Sequence, residues 1–200
     1  MVGDNEVVST TFPRADKKIL GYSRDQVEEF LALARSAYDE PDETPDKAPA
    51  DSDRVPVLTA ESIRHTAFTM QKGGYSPAQV DAALERLEDA FAARERESAA
   101  RSMGEEAWIE QAHAAAEVIL GRVRRDRGHR FSRTSVFSVG YRRADVDRFA
   151  HRLQKYFQDG RPLSVDEVRT AVFRPERRGY REEQVDALLD SVIDVMLAVR

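Results

Sequence analysis

The sequence of 200 residues contains no cysteine. The chain therefore has no disulfide framework, no thiolate nucleophile and no cysteine-ligated metal. No apolar run approaches the ~20 residues that a membrane-spanning helix needs. The first residues, MVGDNEVVSTTF, lack the basic start and the apolar core of a signal peptide. We therefore expect a cytoplasmic protein, with peripheral contact at the inner face of the cell membrane as the alternative.

The usual signatures of enzymes and metal proteins are also missing. The chain has no glycine-rich phosphate loop, no nucleophile elbow and no His-Glu-x-x-His pattern. The four histidines do not have the spacing of metal ligands: His65, His113, His129 and His151. The sequence therefore predicts a protein that is not an enzyme and that uses no cofactor and no metal.

Acidic and basic residues balance each other outside one segment. The net charge is −5, and residues 39–57 alone hold seven acidic residues against Lys47 and Arg54, together with four prolines. The rest of the chain is close to neutral, so its overall charge gives no basis for binding nucleic acid or membrane. A segment with so few apolar residues cannot bury enough surface to offset its chain entropy. We predict a disordered linker over 39–57.

Four copies of one short motif dominate the sequence. Each copy has a phenylalanine, then a Gly-Tyr pair, and then a valine five residues after the tyrosine that opens an apolar helix face. The phenylalanine and the glycine are nine positions apart in units A and six in units B, and the order is A-B-A-B, which indicates an internal duplication. The defining residues are Phe12, Gly21 and Tyr22 (A1), Phe68, Gly74 and Tyr75 (B1), Phe131, Gly140 and Tyr141 (A2), and Phe173, Gly179 and Tyr180 (B2).

These residues are predicted to be structural. The phenylalanines are expected to anchor the core. Each Gly-Tyr pair is expected to form a fixed turn whose ring holds the loop against a helix, with a ligand-contacting surface as the alternative. Gly21 is expected to adopt a backbone conformation that residues with a Cβ adopt reluctantly.

The pattern predicts an all-α fold of four loop-helix units, grouped in two modules that a long helix joins, with a kink near Gly104. No segment shows a competing strand pattern. The predicted segments are a leader (1–11), unit A1 (12–38), the linker (39–57), unit B1 (58–100), a connecting helix with an arginine-rich end (101–130), unit A2 (131–159) and unit B2 (160–200).

The B units begin with Leu-Thr/Ser-x-x-x-Ile/Val and end with Gly-Tyr-x-x-x-x-Val-Asp before an apolar helix. This pattern resembles the N-terminal domain of the bacterial DivIVA family, most closely over 58–87 and 163–192. The A units are similar to it only from Gly21 and Gly140 onward. The likeness is closest to small DivIVA-domain repeat proteins without a long coiled-coil tail. It implies a non-enzymatic scaffold in cell division or polar cell-envelope growth, with other division or envelope proteins as partners and with self-association.

The resemblance also implies a membrane-touching loop just before each Gly-Tyr pair, where the family places an exposed aromatic beside a basic residue. No single unit of this chain carries both features. The candidate membrane or partner loops are Lys17, Lys18, Ile19, Leu20, Lys72, Arg177 and Arg178. In the family two copies of one unit meet in a dimer. The A-B-A-B order leads to the hypothesis that A and B pair here within one chain.

An arginine-rich stretch, GRVRRDRGHRFSR, follows the connecting helix. Its candidate polyanion cluster is Arg122, Arg124, Arg125, Arg127, Arg130 and Arg133. Affinity for a polyanion grows with the number of phosphates neutralised, but Phe131 is the only aromatic that could stack on a base. A helix end followed by a solvated turn is therefore favoured, and nucleic acid is not an expected partner. The connecting helix, residues 105–123, is the other candidate partner surface.

Overall fold

The structure is a computed structural model that describes residues 12–16, 18–39 and 58–199. The predicted leader, Lys17 and nearly all of the predicted linker lie outside the described residues. Within the described residues the chain is mostly helical, with seven helices and four short strands. The helices are α1 (Arg24–Asp39), α2 (Ala60–Arg64), α3 (Pro77–Met103), α4 (Glu105–Val123), α5 (Arg143–Asp159), α6 (Val165–Arg169) and α7 (Glu182–Ala198). The strands are β1 (Leu20–Tyr22), β2 (Met70–Lys72), β3 (Val139–Tyr141) and β4 (Pro175–Arg177).

The mostly helical character agrees with the sequence, but the strands were not predicted. Strand β1 pairs with β2, and β3 pairs with β4, each pair forming an antiparallel two-stranded ribbon. Strands of three residues are too short to show an alternating pattern of apolar and polar residues. They exist because distant segments of the chain meet, and sequence periodicity does not record such meetings.

The chain divides into two compact units, residues 1–92 and 93–200, and the division falls within α3. The prediction was one long helix with a kink near Gly104; the position of the irregularity is correct, but the helix is interrupted there and does not continue. Helix α3 ends at Met103 and α4 begins at Glu105, because Gly104 takes a φ of 92°, which no α-helix contains. Glycine adopts this conformation at little cost, so it separates two helices here.

The two five-residue helices have the same N-terminal signal. Thr59 caps α2 and Ser164 caps α6, and each forms a capping box with the residue three positions on, Ser62 or Glu167. Two otherwise unpaired backbone N–H groups are satisfied in each box. The Thr/Ser of the repeated Leu-Thr/Ser pattern is therefore a helix cap.

Unit 1 has its core around the ribbon of β1 and β2. Val27, Tyr75 and Val80 are buried together, and Phe12 and Phe68 pack against them while remaining partly exposed. A second buried cluster, Ala60, Ile63 and Phe91, joins α2 to α3.

Unit 2 repeats this arrangement around β3 and β4. Phe131, Val146, Phe173, Tyr180 and Val185 form its buried cluster. Helix α4 packs against α5 and α7, and the Trp108 indole N–H donates to the Ala198 carbonyl at 3.2 Å. All four phenylalanines thus contact a core, with Phe131 and Phe173 buried.

Candidate functional site

The two Gly-Tyr pairs of each unit cross each other at the backbone. In unit 1 the Tyr22 N–H donates to the Tyr75 carbonyl and the Tyr75 N–H donates to the Tyr22 carbonyl, both at 3.0 Å. In unit 2 Tyr141 and Tyr180 make the same exchange, at 3.0 and 2.9 Å. Each crossing therefore joins an A segment to a B segment of the same chain.

The glycines of these pairs serve the close approach of two backbones. A Cβ on Gly21 would overlap the Tyr75 carbonyl oxygen and would lie 2.6 Å from the Gly74 carbonyl carbon, and the reverse holds for Gly74. The sequence-based reason given for Gly21 is wrong, because the φ of Gly21 is not among the positive values in the chain. Space, and not backbone conformation, requires glycine here.

Each tyrosine of a Gly-Tyr pair is tied to the opposite segment through the carboxylate that follows the repeated valine. The Tyr180 hydroxyl donates to Asp147 at 3.1 Å, and the Tyr75 hydroxyl donates to Glu28 in a short hydrogen bond. Burial raises the pKa of the Tyr22 and Tyr141 hydroxyls, and a carboxylate neighbour adds to the rise. The four pairs are Tyr22 with Asp81, Tyr75 with Glu28, Tyr141 with Asp186, and Tyr180 with Asp147.

In unit 2 the hydrogen bond between Tyr180 and Asp147 belongs to a buried network. One carboxylate oxygen of Asp147 accepts from the Arg130 guanidinium at 2.7 Å, and the other accepts from the Gly128 N–H at 2.8 Å. Arg130 also donates to the Val123 carbonyl at the end of α4, at 2.7 Å. Arg130 is only 5% exposed. It is therefore a structural residue and is not accessible to a polyanion.

The other arginines of the predicted polyanion cluster do not share one role. The Arg122 guanidinium lies 5.8 Å from the ring centre of Phe131, and Arg133 donates to the Gly128 carbonyl at 3.1 Å. The remaining three are exposed around the end of α4: Arg124, Arg125 and Arg127. The structure thus does not gather the six predicted arginines on one surface.

The end of the unit 2 ribbon carries the most exposed aromatic of the described residues. Phe137 is 93% exposed, and its neighbours Val136 and Val139 are about half exposed. Strand pairing sets Val139 opposite Arg177, and the Arg178 N–H donates to the Ser138 carbonyl at 3.2 Å. The apolar side chains come from unit A2 and the basic ones from unit B2. We call this surface the unit 2 tip: Val136, Phe137, Ser138, Val139, Arg177 and Arg178.

Arg178 has an unusual backbone. Its φ is 55°, and it is the only non-glycine residue with a positive φ in the described part of the chain. The corresponding residue of unit 1 is Gly73, with a φ of 71°. A side chain in this conformation costs roughly 1–2 kcal/mol relative to glycine. Retained strain of this kind is a feature of functional sites.

The end of the unit 1 ribbon has a related surface, the unit 1 tip: Lys18, Ile19, Leu20 and Lys72. Ile19 is 58% exposed and Leu20 is 44% exposed, and Leu20 is opposite Lys72 across the ribbon. The structure thus brings Lys18, Ile19 and Leu20 of unit A1 together with Lys72 of unit B1. It brings Arg177 and Arg178 together with apolar residues that were not predicted.

The sequence-based prediction missed Val136, Phe137 and Val139 because it required an aromatic and a basic residue within the same A or B unit. The tip is assembled from two units, and Phe137 is three positions before its glycine instead of two. Reading the A loop and the B loop as one surface would have placed Phe137 beside Arg177.

None of the helices in the described part of the chain combines the length and the apolar character needed to cross a bilayer. The same residues contain no group of three or more histidine, aspartate or glutamate side chains placed to hold a metal ion. In comparisons with known proteins, no family model, no curated protein and no solved structure matches the chain.

Proposed function

We propose that this chain is a non-enzymatic protein that binds anionic membrane surfaces through its ribbon tips, with the unit 2 tip as the main contact. The observation that supports the proposal best is Phe137, 93% exposed, at the end of a ribbon whose other strand ends at Arg177 and is followed by Arg178. An apolar side chain inserted among lipid headgroups, with cations beside it, is the usual composition of a peripheral membrane contact.

The expected affinity of one tip is modest. Burial of a phenylalanine side chain contributes about 1.5–3 kcal/mol, and each arginine near an anionic surface adds about 1 kcal/mol. The sum, about 4 kcal/mol, corresponds to a dissociation constant on the order of 1 mM in accessible lipid. Binding should therefore require a high lipid concentration and should weaken as salt screens the charges.

Co-sedimentation with vesicles tests the proposal directly. The chain should pellet with vesicles of mixed phosphatidylglycerol and phosphatidylcholine, and it should stay in solution with phosphatidylcholine alone at the same salt. Equal recovery in the supernatant with both kinds of vesicle would contradict the proposal.

Two variants locate the contact. Phe137→Ser removes the apolar insertion, and Arg177→Glu with Arg178→Glu reverses the neighbouring charge. Both should lose binding. The matched control is Arg125→Glu with Arg127→Glu, which changes net charge equally at two exposed arginines outside the tip. Loss of binding in the control as well would indicate attraction by overall charge and would place the site elsewhere.

We further propose that the four segments are DivIVA-like units in the order A-B-A-B and that the protein acts as a scaffold in bacterial cell division or envelope growth. The crossing of A with B inside each unit supports this idea, because a crossing that a family dimer would form between two chains is completed here within one. Light scattering should then give the mass of a single chain for the protein alone. A stable dimer would contradict the self-contained version of the proposal.

One groove favours an adaptor function as the second candidate. In unit 2 the side chains of Phe149, Ala171 and Phe173 line a groove of about 430 Å³. Its lining also includes three arginines, each in an ion pair with one of two lining carboxylates: Arg148, Arg152 and Arg174 with Asp145 and Glu167. Val172, which also lines it, is 90% exposed. The apolar lining residues and the excess of one positive charge among the charged ones fit a peptide with apolar and acidic residues. Panning a random peptide library should enrich such peptides on the wild type and not on Val172→Asp; enrichment on both would exclude the groove.

A further inference from the structure

Ser138 of the unit 2 tip and the nearby Ser135 form a pair of hydroxyl groups that the proposed membrane contact does not use. Ser135 and Ser138 close a turn, with the Ser138 N–H donating to the Ser135 carbonyl at 3.1 Å. Their Oγ atoms are 2.9 Å apart, and both side chains are exposed. Val136 and Phe137 occupy the two central positions of this turn, so any change at the serines occurs directly beside Phe137.

Unit 1 has no hydroxyl in the corresponding loop. Its sequence from Phe12 to Gly21 is FPRADKKILG, whereas that of unit 2 from Phe131 to Gly140 is FSRTSVFSVG. By position in the motif, Ser138 corresponds to Ile19, an exposed apolar residue of the unit 1 tip. Unit 2 thus has a hydroxyl group that can be modified at the position where unit 1 has an aliphatic side chain, which cannot be phosphorylated.

The surroundings of Ser138 are basic. The Ser138 carbonyl accepts from the Arg178 N–H at 3.2 Å, and the next residue, Val139, is opposite Arg177. Position 178 is an arginine although its φ of 55° is one that favours glycine. A phosphate group on Ser138 would carry about −1.5 to −2 charges and could pair with guanidinium groups at this strand end.

We propose that Ser138 is a phosphorylation site for a serine/threonine protein kinase and that its phosphorylation releases the unit 2 tip from the membrane. This proposal rests on the membrane contact proposed above. The phosphate engages the cations that otherwise face anionic lipid. It also places a doubly charged group beside Phe137, which opposes insertion of that ring. The tip then repels the surface that it binds in the unmodified chain.

The chemistry is ordinary phosphoryl transfer from a nucleoside triphosphate bound to the kinase. The Ser138 Oγ attacks the γ-phosphorus, a new Oγ–P bond forms, and the bond from that phosphorus to the bridging oxygen breaks. The nucleoside diphosphate leaves with the electron pair, and the hydroxyl proton passes to a base of the kinase. Exposure of Ser138 outside any helix or strand gives a kinase access to the hydroxyl.

The test compares the full chain with and without phosphoserine at position 138, introduced during synthesis. Vesicles of phosphatidylglycerol and phosphatidylcholine serve as the probe. We expect roughly 30-fold weaker binding of the phosphorylated chain, because two arginines no longer attract the surface and each contributes about fivefold. Phosphoserine at Ser191, an exposed serine of α7, gives the same charge change away from the tip and should leave binding within about twofold.

Two substitutions complete the experiment. Ser138→Ala should bind as the wild type does, and Ser138→Ile, which introduces the residue of unit 1, should bind more tightly. Equal binding of the phosphorylated and unmodified chains would overturn the proposal while leaving the membrane function intact. Absence of binding by the unmodified chain would overturn both. Far-ultraviolet circular dichroism shows whether the phosphorylated chain loses binding because it has unfolded. If it has unfolded, the variant Ser138→Asp replaces it, because aspartate adds charge without a bulky group. That variant should remain folded and should also lose binding.

Discussion

Units 1 and 2 are built on the same backbone crossing but secure it in different ways. In unit 1 the tyrosine of the B segment bonds Glu28, an exposed residue, and the Arg24 guanidinium lies 5.6 Å from the ring centre of Tyr75. In unit 2 the matching tyrosine bonds the buried Asp147, which also holds Arg130 and the Gly128 N–H.

The difference shows which features the fold requires and which are additions. Both units need the paired glycines and the reciprocal Tyr–Tyr backbone bonds. The buried ion pair of unit 2, Arg130–Asp147, joins the arginine-rich turn to α5, whereas that of unit 1, Arg64–Glu88, joins α2 to α3 and does not involve a Gly-Tyr tyrosine. Within the described residues, only unit 2 carries an exposed aromatic beside an arginine with a positive φ. We infer that the crossing is the structural element and that the tips carry the functional variation.

The largest effect is expected at the crossing itself. Gly140→Ala would place a Cβ onto the Tyr180 carbonyl oxygen, a backbone atom that cannot move aside. We expect a loss of about 4 kcal/mol or more in the free energy of unfolding of unit 2, beyond the usual overpacking cost. Urea unfolding followed by Trp108 fluorescence measures it. Gly121→Ala is the control, since its Cβ would meet no atom within 4 Å; a similar loss there would show that any added methyl group is harmful.

Substitution of the carboxylates that accept from the tyrosine hydroxyls should destabilise unit 2 more than unit 1. Asp147→Asn leaves the buried Arg130 without its countercharge, and breaking one partner of a buried pair costs about 3–5 kcal/mol. Glu28→Gln alters an exposed hydrogen bond and should cost about 1 kcal/mol. Chemical unfolding of both variants, followed by circular dichroism, measures the difference. Equal losses would mean that the buried network of unit 2 contributes no more than the simpler tie of unit 1.

High pH should lower the free energy of unfolding of both units, because each contains a tyrosine with a raised pKa. The main cause of the raised pKa differs between the two units. The hydrogen bond to Glu28 raises the pKa of Tyr75 above its ordinary value of 10.0, and burial raises that of Tyr180. A raised pKa means that the folded state keeps a proton that the unfolded state loses. This stabilisation is therefore complete below pH 10 and is lost as the pH rises beyond it, by at most about 1.4 kcal/mol per pH unit for each tyrosine.

Stability measured between pH 9 and pH 11.5 in the variants sharpens this comparison. Glu28→Gln should remove most of the Tyr75 contribution and flatten the pH dependence, as Tyr75→Phe should. Asp147→Asn should leave much of the Tyr180 contribution, because burial is its main cause. A pH dependence that is unchanged by Tyr75→Phe and also by Tyr180→Phe would contradict the assignment.

The smallest effect concerns the tips. Arg178→Gly introduces the residue that unit 1 has at this position and removes the strain of a positive φ. It should raise the free energy of unfolding by about 1 kcal/mol and, in the same variant, weaken binding to anionic vesicles by about fivefold. Thermal unfolding and co-sedimentation measure the two changes. A gain in stability with unchanged binding would indicate that Arg178 has no part in the contact.

Much of the fold could be predicted from local patterns. The apolar helix faces that the repeated valines of units A1 and A2 were predicted to open lie in α1, Arg24–Asp39, and α5, Arg143–Asp159, because an apolar face repeats within a few turns of sequence. A kink near Gly104 was predicted, but the complete break between two helices at that residue and the two ribbons were not. A glycine in a helical pattern is tolerated or disruptive according to its surroundings, and the ribbons join residues about 50 positions apart in unit 1, Leu20 and Lys72.

The sequence by itself determined the repeated motif, the helix faces and the basic residues of the loops, because all of these depend on neighbours within a few positions. Only the tertiary structure shows why a glycine precedes each tyrosine and why an acidic residue follows each valine. The glycines and the acidic residues both make contacts between segments that are distant in sequence. The tertiary structure also decided the composition of the tips. Phe137 and Arg177 belong to different repeats, and only antiparallel pairing of β3 with β4 makes them parts of one surface.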